Sequence, residues 1–225
     1  MTDRLSVPRP VRYERPQSPA EEIANSASHG VGLVAALAGA PILLISAARN
    51  GTTANVIGAG IFAATTILLY AASTIYHATP DGPMKKVFRT IDHGAIFLLI
   101  AGSYTPFTLG VLRGGWGWSL LVIVWALALL GVALKAVDVL YHPVASIALY
   151  IGMGWLAIVA IRPLWLNVPL TGNLLMLVGG ISYTAGVAFY TNQRLRYSHL
   201  LWHLCVLAGT VCHYFAVLWY AYPRR

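Results

Sequence analysis

Residues 198–220 read SHLLWHLCVLAGTVCHYFAVLWY, a run with no Lys, Arg, Asp or Glu. As a helix rising about 1.5 Å per residue, it matches the roughly 30 Å hydrocarbon core of a bilayer. Within it His199 and His203 stand one helical turn apart on one face, so both ring nitrogens can reach one metal ion. Ionisable side chains inside an apolar span are costly, and their presence marks a site. A metal takes at least one more ligand, which the rest of the chain must supply.

The same apolar character extends through the chain. Its 225 residues are 58% hydrophobic and only 10% charged, against about a quarter charged in a soluble domain. Apolar runs at 27–48, 53–78, 87–112, 116–135, 143–162, 171–191 and 197–221 predict an all-α integral membrane protein, a seven-transmembrane helix bundle. The runs are continuous rather than alternating, which excludes a β-barrel. Pro106 is expected to kink the third span. Trp116, Trp118, Trp165, Trp219 and Tyr222 fall near span ends and read as interfacial anchors.

Residues 1–20 hold four Pro, four Arg and no apolar run, which predicts a disordered basic tail ahead of one domain over 21–225. The tail lacks the apolar stretch and cleavage site of a secretory signal. The formal charge of +8 is read as a topology signal, since no basic patch interleaved with aromatics suggests nucleic acid. Ten Lys and Arg against five place the N-terminus in the cytosol and the C-terminus outside, in a multi-pass plasma-membrane protein. Cys205 and Cys212 lie about 10 Å apart on one helix, too far for a disulfide, and are expected to be free packing residues.

That topology gathers the unusual polar residues at the cytosolic end. Glu22, Asn25 and His29 lie at the mouth of the first helix, Ser73 and His77 close the second, and Asp92 and His93 enter the third. His77, His199 and His203 are the expected metal ligands, because three neutral imidazoles with one open position form a known zinc arrangement. Asp92 is expected to orient a water or a ligand ring, and Ser73 to donate to an oxyanion. Glu22 and Asn25 have two open readings, as accessory groups of the site or as helix caps. His93, on another face from Asp92, reads as a packing or hydrogen-bonding residue. His213, about 15 Å beyond His203, reads as a buried hydrogen-bonding histidine, and His142, before Pro143, as a solvated loop residue.

Taken in order, Glu22-x2-Asn25-x3-His29, Ser73-x3-His77, Asp92 within FRTIDHGAIFLLIAGSYTP, and His199-x3-His203 followed by His213 resemble the hemolysin III family. That family is the bacterial branch of the progestin and adipoQ receptor group, which includes the adiponectin receptors. The resemblance runs from about residue 20 to the end. It implies seven helices with a cytosolic N-terminus in the bacterial inner membrane, Zn2+ on His77, His199 and His203, and Ser73 and Asp92 close by. It also links the chain to alkaline ceramidases. Three functions follow as expectations: an intramembrane zinc hydrolase acting on a membrane-lipid amide or ester, a non-catalytic homeostasis factor or sensor with structural zinc, and a cytolysin. The last lacks support from the residues, since no polar stripe runs the full membrane depth.

Overall fold

The computed structural model of the chain describes residues 15–137, 139, 143–192 and 194–222. These residues form α1 (Pro19–Asn50), α2 (Thr53–Ala78), α3 (Pro83–Leu109), α4 (Gly115–Ala136), α5 (Pro143–Gly154), α6 (Ile161–Asn167), α7 (Leu170–Thr191) and α8 (Ser198–Tyr220), with a 3-10 segment at Trp155–Ala160. Among the described residues there is no strand. The 3-10 segment joins α5 to α6, so the fifth apolar run continues to Asn167 instead of stopping at 162. Among the described residues, six segments are long and apolar enough to cross a membrane. The one left out, α3, carries Lys85, Lys86, Arg89 and Asp92. The tail residues 1–14 and His142 lie outside the described residues.

The helix ends show why the boundaries fall where they do. α1 starts at Pro19 and not at 27, because its first two turns are held by polar contacts instead of apolar burial. Ser18 caps it: the Ser18 side chain accepts from the Glu21 backbone N–H, and the Glu21 carboxylate accepts the Ser18 N–H at 2.9 Å. Proline at the first helical position costs nothing there, since its missing N–H has no intrahelical partner. Between α3 and α4 the chain turns through Gly114 at φ +106°, a conformation that side chains with a Cβ rarely adopt.

Consecutive helices pack as antiparallel neighbours, α1 on α2, α2 on α3, α3 on α4 and α7 on α8, while α1 also meets α8. That last contact sets the first helix beside the last, start against start. The bundle is apolar outside as well as in its core. Val31, Val34, Val122 and Leu166 are each more than three-fifths exposed, whereas Glu21, Asn25, His29, Ser73, Asp92 and His203 are buried at one end. An apolar exterior with its ionisable residues turned inward is what a lipid solvent selects. Trp116, Trp118, Trp165 and Trp219 are exposed near helix ends, as anchors should be, but Tyr222 is not. It is 8% exposed and belongs to the core, where the chain leaving α8 folds back on the α3–α4 turn and Ala221 O accepts from Val111 N–H.

Candidate metal centre

The first turns of α1, α3 and α8 and the last turn of α2 meet at one end of the bundle. There the ligand nitrogens of His77, His199 and His203 all lie within 4.8 Å of one another. Their ring centroids form a near-equilateral triangle with sides of 4.9, 5.0 and 4.7 Å. His77 and His203 are buried and His199 half-buried. Two Zn–N bonds of about 2.1 Å span no more than about 4.2 Å, so even the full separation closes onto one ion by small side-chain rotations.

The hydrogen bonds fix which nitrogen is offered. His77 Nδ1–H donates to Glu22 Oε2 at 2.6 Å, leaving Nε2 buried and without a protein partner. His203 Nδ1–H is shared between Asn25 O at 3.2 Å and Ser28 Oγ at 3.1 Å, so its free lone pair is also on Nε2. Both bonds favour the tautomer that leaves Nε2 open to a metal, with the outer nitrogen pinned by an oxygen. The donor set fits a divalent metal such as zinc.

The adjacent carboxylates divide their tasks. Glu21, 1% exposed, serves the helix caps: it closes the box with Ser18, receives the Arg15 guanidinium, and accepts the Tyr197 backbone N–H at 3.0 Å at the start of α8. Its hydrogen bond raises the Arg15 pKa above the ordinary value. Glu22, one residue on and so about 100° around the helix, faces α2 and α3: it holds His77 of α2 through Oε2 and Lys85 Nζ, in the first turn of α3, through Oε1 at 2.8 Å. Of the two open readings for Glu22, the bond to His77 is what the structure contains, and the cap is made by its neighbour. Asn25 contributes its backbone carbonyl to His203. Ser28 was not singled out from the sequence, and only the packing of α1 on α8 reveals it.

His29 belongs to the cluster in a different way. Its ring stacks on His203 at 3.6 Å between centroids with the planes 5° apart. Lone pairs lie in the ring planes, so a metal in the plane of His203 is out of reach of His29. Ser73 is one turn from His77, fully buried, and its hydroxyl has no protein partner. Asp92 is buried on α3 and shares with Ser73, His29, His199 and His203 the wall of a cavity of about 340 Å³, whose remaining lining is largely apolar. His93 is buried on the same wall, outside the triad. His213 Nε2–H donates to Met176 O at 3.2 Å, and Cys205 and Cys212 are free, both as expected.

These features define a multi-pass membrane protein with a buried three-histidine cluster able to hold a metal ion. Residues 17–214 match the family model described as Haemolysin-III related, and the chain belongs to that family. It is 43% identical to Hemolysin-3 of Bacillus cereus over 203 residues, which cover 90% of this chain and 93% of that protein. It is 40% identical to the Hemolysin-3 homolog of Bacillus subtilis (strain 168) over 200 residues, 89% and 94% of the two chains. A more distant relative is the human Monocyte to macrophage differentiation factor, 28% identical over 220 residues, 90% of this chain and 85% of that one. With its apolar helices and this family, the chain is a multi-pass bacterial membrane protein.

Replacing Glu22 with Gln is expected to weaken metal binding about 10- to 100-fold, the usual effect of losing an outer carboxylate on a ligand histidine. Competition with a chromophoric chelator measures it. An unchanged affinity would mean that the Glu22–His77 bond does not tune the site.

Proposed function

We propose that the protein is a zinc-dependent intramembrane hydrolase acting on an amide or ester of a membrane lipid. In this reading α3 is a seventh span, and the histidine end faces the cytosol, as the distribution of Lys and Arg suggests. The observation that carries it is the opening of the three-histidine cluster onto a largely apolar cavity whose wall also holds Ser73 and Asp92. An apolar cavity of about 340 Å³ suits part of an acyl chain. The charged side chains on its wall, Arg89, Asp92 and Lys135, come from the histidine end, where a carbonyl would have to lie.

Zinc at the triad would supply Lewis-acid polarisation of the lipid carbonyl. Asp92 would accept the proton of a water attacking the carbonyl carbon and return it to the nitrogen or oxygen of the leaving group as the acyl bond breaks. Ser73 Oγ–H would donate to the oxyanion, a task open to a hydroxyl with no other partner. Glu22 and the Asn25 carbonyl would keep the ligand rings oriented throughout.

One observation favours a second reading, a homeostasis factor in which the metal is a staple. The triad and its outer hydrogen bonds tie together α1, α2 and α8, which are distant in sequence. Asp92→Asn separates the two. For a hydrolase, zinc-loaded protein in lipid releases fatty acid from ceramides or phospholipids, and Asp92→Asn lowers that rate about 100-fold or more with zinc content unchanged. For a staple, Asp92→Asn leaves the lipid-dependent phenotype of cells intact. Zinc-loaded wild type that releases no fatty acid from either lipid class sinks the hydrolase reading.

A further inference from the structure

The interface of α1 and α2 beside the triad is built from polar groups that the mechanism above leaves largely unused. The helices run antiparallel in a fixed register. Glu22 meets His77, Ser26 Oγ donates to Thr74 O at 3.0 Å, and the His29 ring lies 5.0 Å from that of Tyr70. This register sets Asn25 at the level of Ser73 and Thr74, and His29 between Ser73 and Tyr70. Asn25, His29, Tyr70 and Ser73 are each 3% exposed or less. Yet Asn25 Oδ1 and Nδ2, both ring nitrogens of His29 and the Ser73 hydroxyl have no protein hydrogen-bond partner. The Tyr70 hydroxyl is set apart from them, since it faces Thr210, whose oxygen can still accept after its own hydrogen goes to Val206 O.

Five unpaired polar atoms on one short stretch of the α1–α2 interface would cost a large share of the net stability of a domain. Buried polar groups are therefore paired, and where protein provides no partner the partner is a guest. The chemistry of the walls selects it. An acyl chain would leave all five atoms unpaired. An ion finds no opposite charge among the three side chains. Water matches, because it both donates and accepts and needs two to four polar partners. The amide offers both functions, as do the imidazole and the hydroxyl.

We propose that Asn25, His29 and Ser73 form a water-holding chamber on the flank of the histidine triad, with the Tyr70 ring beside it. His29 joins it to the triad through its stack on His203, and Ser73 and His29 also stand on the wall of the largely apolar cavity. Hydrolysis consumes water, and such a cavity stores none. The chamber would keep it one side chain away from the ligand rings. That role rests on the hydrolase reading, whereas the chamber itself rests on the unpaired groups alone.

Radiolytic hydroxyl-radical footprinting of the full chain in lipid nanodiscs tests it, since ordered water generates radicals in place and labels side chains that bulk solvent does not reach. Phe62 and Phe97 are as buried as Tyr70 and lie outside the cluster. Normalised for intrinsic reactivity, Tyr70 is expected to be oxidised about tenfold faster than either, in metal-loaded and in chelator-stripped protein alike. Asn25→Leu, of similar shape, and Ser73→Ala, the milder change, are each expected to lower the Tyr70 rate several-fold. Labelling of Tyr70 at the rate of Phe62 and Phe97, labelling that appears only after metal removal, or a rate unmoved by both substitutions overturns the proposal. No turnover enters the readout, so the chamber and the hydrolase stand or fall separately.

Discussion

His203→Ala protein is expected to bind a divalent metal more than about a hundredfold more weakly than wild type, while His213→Ala binds it as wild type does. Loss of an outer hydrogen bond weakens a site about 10- to 100-fold, and loss of a ligand from a set of three costs more. His203 is also the ring on which the local structure converges, through Asn25 O, Ser28 Oγ and the face of His29. At 1% exposure its truncation removes packing as well, at about 2–5 kcal/mol by analogy with other large-to-small core changes. Metal affinity is therefore compared on protein that remains monodisperse. His199→Ala, at a half-buried position, provides the variant with less packing to lose. His213 lies on the same helix, bonded to Met176 O and packed on Gly179, so its removal tests whether any histidine of α8 suffices. Equal affinity in wild type and His203→Ala would remove the triad from consideration as a metal centre.

How much of this was legible in the sequence depends on whether a residue's meaning is local. The pair on α8 could be read because spacing along one helix fixes a shared face. The register of α1 against α2 could not. Glu21 and Glu22 are chemically identical and adjacent, and only the rotation of α1 about its axis decides which caps the helix and which holds His77. The start of α1 was missed for a related reason. Its first two turns bury polar atoms against other polar atoms, and a hydropathy window ignores that kind of burial. His29 shows the opposite limit: its place in the cluster was visible, but the parallel stack that keeps it from sharing a metal with His203 arises from packing across α1 and α8. Tyr222 was misread because its neighbours in sequence say nothing of the chain's return onto the α3–α4 turn.

Gly110→Ala is expected to destabilise the protein by about 3 kcal/mol or more, near the upper end for overpacking, without touching the histidine cluster. A Cβ at Gly110 would stand 1.9 Å from Ala221 O and 2.6 Å from Pro106 O. Both are backbone atoms, so no rotamer change relieves the overlap, and α3 and α8 would have to move apart. The joint they form is shared. Val111 N–H donates to Ala221 O at 3.2 Å, and Asn55 Nδ2 would lie 2.9 Å from the new carbon while Asn55 Oδ1 accepts the Thr52 N–H at the start of α2. One methyl thus presses on the end of α3, the end of α8 and the beginning of α2 at once. Gly60→Ala is the control: its Cβ meets only Leu44 Cδ2 at 3.6 Å, an ordinary contact, and alanine is favoured over glycine within a helix by about 1 kcal/mol. The thermal unfolding midpoint in detergent should fall for Gly110→Ala and hold or rise for Gly60→Ala. Because the joint lies at the end of the bundle away from His77, His199 and His203, Gly110→Ala protein kept below its midpoint should retain wild-type metal affinity. A variant that lost metal binding and stability in parallel would show that the two ends of the bundle are coupled, contrary to a site built from the first turns of α1 and α8 and the last turn of α2.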